Sequence, residues 1–364
     1  MRMMQSPPAA SAVSVRVHTG RQLAAHLPRL RAFAMAGERA PLSRDPGWLS
    51  ILQRAFQHDV YALEAIQGDR TCGFLPLAFV RSLLFGRFLV SLPYLNSNGV
   101  VADDGAARER LIDRSVQLAD ELRVRYLELR HEQKIEHPAL TGCLTGKVHM
   151  RLPLPAFPGP LWEGLPAKVR NQVRKGEKSD LTTVRGGEEL LPEFYAVFSR
   201  NMRDLGTPVY SVELFASALR QFPTDAELLV VRAGRTPVAA ALLLHGPGIT
   251  EVPSASSLRE YNPTCANMLL YWRLLERAVE RGQAVFDFGR STVDGNTYRF
   301  KKQWGARPDP AIWQYYRRDG GYHAASPNDP RPDNPRYQRL IQVWRQLPLR
   351  VTRWIGPLIV RGIP

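Results

Sequence analysis

The chain has 364 residues, of which 44% are hydrophobic and 23% are charged. This composition is typical of a folded globular protein and excludes an extended disordered chain, and the length suffices for two domains of ordinary size. The formal net charge is +15, so we expect an anionic partner. Nucleic acid, an acidic membrane surface, a nucleotide cofactor and an anionic glycan all fit this charge.

The cysteines and histidines predict neither a disulfide framework nor a metal site. Cys72, Cys143 and Cys265 lie far apart in the chain, and the eight histidines show no metal-binding spacing. Three separated cysteines are typical of a reducing compartment. The first residues lack the apolar run of a signal peptide, and no segment approaches the roughly 18 apolar residues of a membrane-spanning helix. The sequence therefore predicts a cytoplasmic protein.

The first half alternates strands and helices. Apolar residues at helical spacing predict helices over 20–36 and 107–123. Alternation and β-branched content predict five strands, over 13–18, 60–66, 72–79, 86–92 and 126–129. This order indicates a mixed α/β or α+β fold.

The second half begins after a proline-rich link at 153–160. Helices are predicted over 168–178 with an interruption near Gly176, over 189–205, over 211–222 with Ser211 as its N-cap, and over 263–281. Strands are predicted over 227–233, 238–245, 284–288 and 311–316. Because both halves share a rough order of elements, we expect a tandem pair of similar domains. The predicted divisions are a domain over 1–155, a second over 160–325, and a C-terminal helix and apolar tail over 335–364.

The segment 286–305 carries the densest set of functional side chains, F-D-F-G-R-S-T-V-D-G-N-T-Y-R-F-K-K-Q-W-G. It predicts a buried strand that breaks at Gly289 and opens into a loop rich in donors and aromatic rings. Such strand ends often hold the ligand chemistry of α/β folds. The alternative is a solvated basic loop.

A second basic segment lies on the helix predicted over 168–178. Lys168, Asn171, Lys175 and Lys178 share one face of that helix, with Arg170 and Arg174 beside it. This stripe either binds an anionic substrate or is a solvated face.

Six motifs occur in a fixed order in the second half. They are K-V-R-N-Q-V-R-K-G at 168–176, L-G-T-P-V-Y at 205–210, N-M-L-L-Y-W at 267–272, E-R-G-Q-A-V-F-D-F-G-R-S at 280–291, Y-R-F-K-K-Q-W-G at 298–305 and I-G-P-L-I-V-R at 355–361. This series resembles the FemAB family, and most closely its branch associated with the XrtA/PEP-CTERM exosortase systems, whose members lie near exopolysaccharide loci. The resemblance covers about 160–364. It implies two acyltransferase folds of the GNAT type in tandem.

The resemblance also implies a catalytic residue. FemAB-type transferases place a Phe-Lys pair at the reacting centre, and Phe300-Lys301 resembles that pair. A fixed ammonium in a partly dry cleft would stabilise the oxyanion of the tetrahedral intermediate. Asp287 and Arg290 flank Gly289, and Asp287 is expected to orient Arg290 or to act as a base.

Further residues are expected to bind substrate. The resemblance places Asn267 and Tyr271 in the cleft, with helix capping and packing as the alternative. Tyr298 and Trp304 would shape the cleft, and Ser291 lies at the strand end. Other polar side chains that the sequence offers to a pocket or a turn are Thr207, Tyr210, Asn96 and Asn98.

The donor and the acceptor follow from the resemblance and from one missing motif. The chain lacks the R/Q-x-x-G-x-G/A turn that holds the coenzyme A pyrophosphate in ordinary GNAT enzymes, and it also lacks Walker A, Rossmann and G-x-S-x-G motifs. We expect no tightly bound cofactor. The expected co-substrate is acyl-CoA or aminoacyl-tRNA, and the expected acceptor is a sugar or a lipid-linked glycan.

The sequence thus predicts an acyl- or aminoacyltransferase that forms an amide on a cell-envelope or exopolysaccharide precursor. The rival interpretation is a non-catalytic protein that binds an anionic glycan or RNA in the same cleft; a nucleic-acid-binding module rests on charge alone. The apolar and basic segment 350–361 is either a peripheral membrane contact at the inner face of the membrane or a tail packed on the domain.

Overall fold

A computed structural model of the protein describes residues 12–82, 85–318 and 335–363. Its strands are β1 (Ser14–Thr19), β2 (Asp59–Gln67), β3 (Arg70–Ser82), β4 (Gly86–Val90), β5 (Val101–Ala102), β6 (Tyr126–His131), β7 (Gly142–Leu144), β8 (Lys147–Pro153), β9 (Leu181–Gly186), β10 (Ala226–Ala233), β11 (Thr236–Gly246), β12 (Ile249–Ser257), β13 (Val285–Thr292), β14 (Arg307–Pro310) and β15 (Ile312–Tyr316). Its α-helices are α1 (Gly20–Ala34), α2 (Gly47–Phe56), α3 (Gly105–Glu121), α4 (Pro158–Gly164), α5 (Ala167–Glu177), α6 (Leu191–Leu205), α7 (Val212–Gln221), α8 (Ala266–Glu280), α9 (Asn296–Lys302), α10 (Pro335–Gln346) and α11 (Leu349–Val360).

The strands form two mixed sheets with the same plan. The first sheet has the order β1-β2-β3-β4-β6-β15-β7, with β5 paired to β3. The second has the order β9-β10-β11-β12-β13-β8-β14. In each sheet the fourth and fifth strands of this order are parallel, β4 with β6 and β12 with β13, and the other pairs are antiparallel. The mixed α/β fold and the tandem arrangement are therefore confirmed.

The two halves exchange one strand each. β15 comes from the end of the second half but lies between β6 and β7 of the first sheet. β8 comes from the end of the first half but lies between β13 and β14 of the second sheet. The division of the chain at 155–160 stays a prediction, because these two strands cross it in opposite directions.

The exchanged strand β15 is anchored by its own side chains. Gln314 is buried, and its amide accepts hydrogen bonds from the His131 ring and the Ile135 amide while donating one to the Ile135 carbonyl. Tyr315 donates to the Glu128 carboxylate at 2.8 Å. These contacts satisfy buried polar groups of the first sheet that would otherwise lack a partner.

The hydrophobic core also joins the halves. One cluster contains Leu49 of α2 and Phe74 of β3 together with Phe194 of α6, Phe215 of α7 and Leu242 of β11. On the other face of the second sheet, α8 buries a continuous apolar stripe against β10, β11 and β12. A third cluster lies between α3 and the first sheet. The first cluster therefore joins the two halves, whereas the second and third each belong to one half.

The segment around a short 3-10 helix, Leu42–Arg44, completes the joint between the halves. The carboxylate of Glu251 in β12 accepts hydrogen bonds from the Ser43 amide at 2.9 Å and the Ser43 hydroxyl at 2.7 Å. Gly246 packs so closely on this segment that a Cβ there would lie 2.0 Å from the Ala40 carbonyl oxygen. Burial raises the pKa of Glu251 to about 7.

Most predicted elements are present, and Ser211 is confirmed as the N-cap of α7, since its side chain accepts from the Glu213 amide. Three expectations need correction. Gly176 does not interrupt α5. It is buried so close to α8 that a Cβ at this position would lie 2.9 Å from the Cβ of Leu269. β13 does not break at Gly289 but continues to Thr292. The stretch expected as an open loop contains the helix α9.

The C-terminal segment packs on the second half along one face. α10 and α11 both contact α6, and Gly356 of α11 lies against Val209. Arg353 donates to the Ser199 hydroxyl at 2.8 Å. Among the helices in residues 12–82, 85–318 and 335–363, none combines the length and the apolar character needed to cross a membrane.

Removing the Gln314 amide should destabilise the whole chain, because it would leave several buried polar groups of the first sheet without partners. We expect Gln314→Ala to lower the free energy of unfolding by about 2–4 kcal/mol. The control is Gln342→Ala on the exposed side of α10, expected to change it by less than about 0.5 kcal/mol. Urea denaturation followed by circular dichroism measures both, and equal losses would contradict the anchoring role of β15.

Candidate active site

The site begins where the parallel strands β12 and β13 separate. They pair only through Ile249–Glu251 and Val285–Asp287, although both strands continue further. The diverging carboxyl ends of parallel strands leave an opening in the sheet, and such openings commonly bind ligands. Beyond Asp287, β13 continues along this opening to Thr292.

A bulge at Gly289 shapes this edge. The pairing of β13 with β8 shifts register between Asp287 and Arg290, and Gly289 has a φ of +79°. A Cβ at this position would lie 3.2 Å from the Asn96 Nδ2 and 3.4 Å from the Val252 carbonyl oxygen. Both the backbone conformation and the close approach therefore favour glycine here.

Asp287 holds the bulge from inside the sheet. Its Oδ1 accepts from the Gly289 amide at 2.7 Å, and its Oδ2 accepts from Arg151 Nε at 3.0 Å. His149 Nδ1 lies 3.3 Å from the same oxygen. Arg151 in turn donates both terminal nitrogens to Glu132, at 2.6 and 2.9 Å. Asp287 is thus oriented by β8 and contacts Arg151, whereas the sequence suggested Arg290 as its partner.

These contacts decide what Asp287 does chemically. Burial raises the pKa of Asp287, but the neighbouring His149, the charge of Arg151 and the Gly289 amide outweigh burial and hold the pKa below its usual value. A carboxylate with a lowered pKa and two hydrogen-bond donors is a weak base. Asp287 is therefore suited to holding the bulge rather than to removing a proton.

Lys301 holds the bulge from the other side. Its ammonium lies on α9, is 8% exposed, and donates to the carbonyl oxygens of Gly289 at 3.0 Å and Arg290 at 3.1 Å. Burial lowers the pKa of Lys301 to about 8, against the opposing charge of Asp287. An ammonium has three N–H donors, so two bonds to carbonyls leave one for a ligand.

The side chain of Arg290 extends from the bulge toward the first sheet. Its guanidinium lies 3.5 Å from the centre of the Trp313 ring, and the guanidinium of Arg130 lies 4.0 Å from the centre of the same ring. Arg130 is paired with Glu128, whereas Arg290 Nε is buried without a hydrogen-bond partner among the described residues. Burial, and then the charge of Arg130, lower the pKa of Arg290 to about 9. This combination favours the binding of an anion.

Arg290 lines a pocket between the two halves. The pocket has a volume of about 240 Å³. Its lining residues are Tyr94, Leu95, Asn96, Arg130, Thr207, Pro208, Tyr210, Arg290, Trp313, Val360 and Ile363. It is both cationic and aromatic, and it combines residues from the first sheet, the loop after α6 and the end of α11.

The aromatic residues predicted to line the cleft lie instead in the hydrophobic core of the second half. Trp304 is 1% exposed, and Tyr271 is buried between Phe288 and Phe300, with ring centroids 5.7 and 4.9 Å away. Tyr298 is also buried in this cluster. Because Trp304 is enclosed by protein, it supports α9 from below rather than stacking on a base or a sugar.

The remaining predicted residues are spread over the second half. Lys168, Arg174 and Lys175 are exposed on α5, and Arg170 is half-buried there. Among the described residues that line the Arg290 pocket, none comes from α5. Asn267 is half-buried in the first turn of α8, and Ser291 is buried with its hydroxyl unpaired in the described part of the chain.

Several site residues escaped the sequence analysis. Arg130 and Trp313 sit on ordinary-looking strands 183 positions apart, and only the strand exchange brings them together. Arg151 and His149 lie beside the proline-rich link, on a strand that its prolines obscured. Tyr94 has a φ of +72° in a turn where the sequence singled out only the asparagines. Local pattern gave no signal for any of them.

A family model for the acetyltransferase (GNAT) domain matches residues 166–302, from the start of α5 to the end of α9. Comparison with curated protein sequences gives no match. The second half therefore contains a GNAT-type domain that holds Asp287, Arg290 and Lys301.

Solved structures match most of the chain at low identity. FemX, of the FemAB family, is 14% identical, with a TM-score of 0.64 over 90% of this chain and 100% of that chain. The C-terminal domain of a putative lysylphosphatidylglycerol synthetase from Agrobacterium fabrum is 13% identical, with a TM-score of 0.53 over 80% and 92%. A tandem GNAT protein from the clavulanic acid biosynthesis pathway is 15% identical, with a TM-score of 0.50 over 85% and 100%. These likenesses establish the fold and, with the GNAT domain, support an acyltransferase.

Gly289→Ala should cost more stability than its backbone conformation alone explains. The matched control is Gly234→Ala, which also has a positive φ, +57°, but has open space around it. We expect a loss of about 1 kcal/mol for Gly234→Ala and about 2–3 kcal/mol for Gly289→Ala, measured by urea denaturation. Equal losses would mean that the contacts with Asn96 and Val252 do not constrain the bulge.

Proposed function

We propose that this protein is an acyl- or aminoacyltransferase that forms an amide on a cell-envelope or exopolysaccharide precursor. An acceptor amine attacks the carbonyl carbon of an activated acyl donor directly, and the donor's carrier leaves after loss of the amine proton. The observation that carries the proposal is the ammonium of Lys301, fixed at the opening between β12 and β13 with one N–H unused.

Lys301 stabilises the negative charge that develops on the donor carbonyl. Its position is fixed by two backbone carbonyls, so little reorganisation is needed when the oxyanion forms. Its surroundings exclude most water, which strengthens the interaction. Phe300 and the buried Tyr271 and Trp304 hold α9 in place beneath it. Asp287 takes part by fixing the bulge that Lys301 contacts.

Arg290 binds an anionic group of the substrate in the pocket between the halves. The unpaired Nε of Arg290 and the ring of Trp313 offer a charged donor beside a flat apolar surface. Phosphate or carboxylate with an attached ring fits both features. The hydroxyl of Thr207 and the amide of Asn96 line the same pocket and can bind sugar hydroxyls.

The link between β12 and α8 indicates which acyl donor the protein uses. It contains a 3-10 helix over Arg259–Thr264 and Cys265 in a left-handed conformation, without the glycine-rich turn of ordinary GNAT enzymes. Gly176 of α5 also packs against the Cys265 carbonyl, so protein occupies part of this end of α8. These features favour aminoacyl-tRNA over acyl-CoA as the donor, with the exposed cations of α5 available to the tRNA phosphates.

The acceptor class rests on likeness. The ordered motifs of the second half resemble the XrtA/PEP-CTERM-associated branch of FemAB proteins, which supports an exopolysaccharide precursor. Two structural neighbours carry the names lysylphosphatidylglycerol synthetase and L-PGS, which supports aminoacyl transfer close to a lipid surface. A sugar or lipid-linked glycan with a free amine meets both indications.

The face of α11 opposite α6 supplies a contact for the inner face of the membrane. Trp354 and Leu358 are 74% and 64% exposed and lie one turn apart, and Arg350 lies one turn before Trp354. The exposed Arg361 extends the basic edge. An amphipathic helix with apolar and basic residues on one side binds anionic lipid surfaces. Such a contact would bring the enzyme close to lipid-linked acceptors.

The donor is tested by thermal-shift titration of the full chain with acetyl-CoA, long-chain acyl-CoA and aminoacylated tRNA. A ligand at about 100 times its dissociation constant should stabilise the fold by about 2.7 kcal/mol. We expect a shift with aminoacyl-tRNA, followed by amide formation when an amino sugar is added. Binding of RNA without transfer to any amine would instead favour a non-catalytic binding protein, and no shift with any donor would overturn the proposed function.

The transfer rate should depend on the protonation of Lys301. Because the pKa of Lys301 is lowered to about 8, the ammonium is present at pH 7 and is lost as the pH rises through 8. We expect the single-turnover rate to fall above pH 8, by about tenfold per pH unit well above the pKa. Lys301→Arg keeps its charge across this range, so its residual rate should not fall there. A wild-type rate that rises through pH 8 would show that the neutral amine is the active form.

The membrane contact is tested by co-sedimentation with vesicles of phosphatidylglycerol and of phosphatidylcholine. We expect binding to the anionic vesicles, and its loss in the double variant Trp354→Ser, Leu358→Ser, because the helix then lacks apolar area to insert. Phe157→Ser is the matched control, since Phe157 is 71% exposed elsewhere on the surface. Equal loss in both variants, or binding that ignores lipid charge, would contradict the proposed contact.

A further inference from the structure

A second, larger pocket lies in the first half of the chain. Its volume is about 760 Å³, and its lining includes Arg44, Asn98, Arg108, His131 and Glu132. It shares no lining residue with the pocket around Arg290. Neither the motifs of the second half nor the proposed transfer reaction involves it.

The amide of Asn98 offers an acceptor to this pocket. Asn98 is 4% exposed, and its Nδ2 donates to the Ser43 carbonyl oxygen. That bond fixes the orientation of the amide, so the opposite atom is the carbonyl oxygen. Asn98 Oδ1 is buried and has no hydrogen-bond partner among the described residues. A buried acceptor without a partner is costly, and a ligand with a donor group would relieve that cost.

The ring of His131 offers a second acceptor. Gln314 Nε2 donates to the Ile135 carbonyl at 2.7 Å, so Gln314 Oε1 is the acceptor that faces His131 Nδ1 at 3.0 Å. Nδ1 therefore carries the hydrogen, and Nε2 presents a lone pair. Burial lowers the pKa of His131 to about 4, so the ring is neutral at pH 7. His131 is 4% exposed, and its Nε2 also lacks a partner in the described part of the chain.

Two arginines give the pocket an excess of unpaired positive charge. Arg44 is half-buried, and Arg108 is exposed on the first turn of α3; neither forms an ion pair with another described residue. The acids beside them are largely engaged, since Glu132 holds Arg151 and Glu136 holds Lys134. Glu109, the remaining acid, is exposed on α3. The pocket thus combines two buried acceptors with two available guanidinium groups.

We propose that this pocket is a second ligand site, for a small sugar phosphate or sugar acid. Hydroxyl groups of the ligand donate to Asn98 Oδ1 and His131 Nε2, and its phosphate or carboxylate lies between Arg44 and Arg108. Neutral sugars supply the donors without the anion, and inorganic phosphate supplies the anion without enough hydroxyls. A ligand of the proposed class carries both the hydroxyl donors and the anionic group.

The ligand class is tested by calorimetric titration of the full chain with glucose 6-phosphate, glucuronate, glucose and inorganic phosphate. We expect at least one of the two anionic sugars to bind, and glucose and inorganic phosphate each to bind at least about tenfold more weakly. Absence of binding by both anionic sugars at millimolar concentration would overturn the proposal. Binding of inorganic phosphate as tight as that of the sugar would also overturn it, since the acceptors would then have no role.

Variants locate the site. Arg108→Ala should weaken the anionic sugar by about tenfold or more, because it removes a charged donor. Arg110→Ala removes the same charge from an exposed position two residues further along α3, outside the pocket lining, and should leave binding unchanged. Arg290→Ala should also leave it unchanged, which separates this site from the proposed active site. Equal weakening by Arg108→Ala and Arg110→Ala, or loss of binding in Arg290→Ala, would refute a site at this position.

Discussion

The buried carboxylate of Asp287 is the interaction on which the rest of the site depends. It joins the Gly289 amide to Arg151 and so ties the bulge of β13 to the exchanged strand β8. Leaving one partner of such a buried pair alone costs about 3–5 kcal/mol, so the bulge and the strand order are held together. The bulge then directs two carbonyls toward Lys301 and the side chain of Arg290 toward the first sheet.

The strand exchange makes the site a property of the whole chain. Arg290 belongs to the second sheet, whereas Arg130 and Trp313 lie in the first sheet, so the cationic and aromatic pocket exists only when both halves are joined. The same joint brings the two pockets into one hydrogen-bonded network. Glu132 lines the second pocket and holds Arg151, which in turn holds Asp287 beside the first.

Much of the fold could be predicted because its signals are local. Helical spacing of apolar residues located α3 and α8, alternation located the hairpins, and Ser211 marked the start of α7 with its own side chain. The segment proposed to hold the active site was also visible, since Asp287, Arg290 and Lys301 lie within fifteen positions of each other. The secondary structure between these residues was predicted wrongly. The sequence predicted a loop because Gly289 suggested the end of the strand, whereas β13 continues past it and α9 follows.

The sequence by itself determined the element order, the tandem repetition and the chemistry of the segment that carries Lys301, because each depends on residues that are neighbours in the chain. Only the tertiary structure decided which sheet β8 and β15 join, that Asp287 faces Arg151, and that Arg290 meets Trp313. It also decided that Trp304 is a core residue. Strand pairing and burial depend on contacts between distant residues, and these leave no periodic trace in a single sequence.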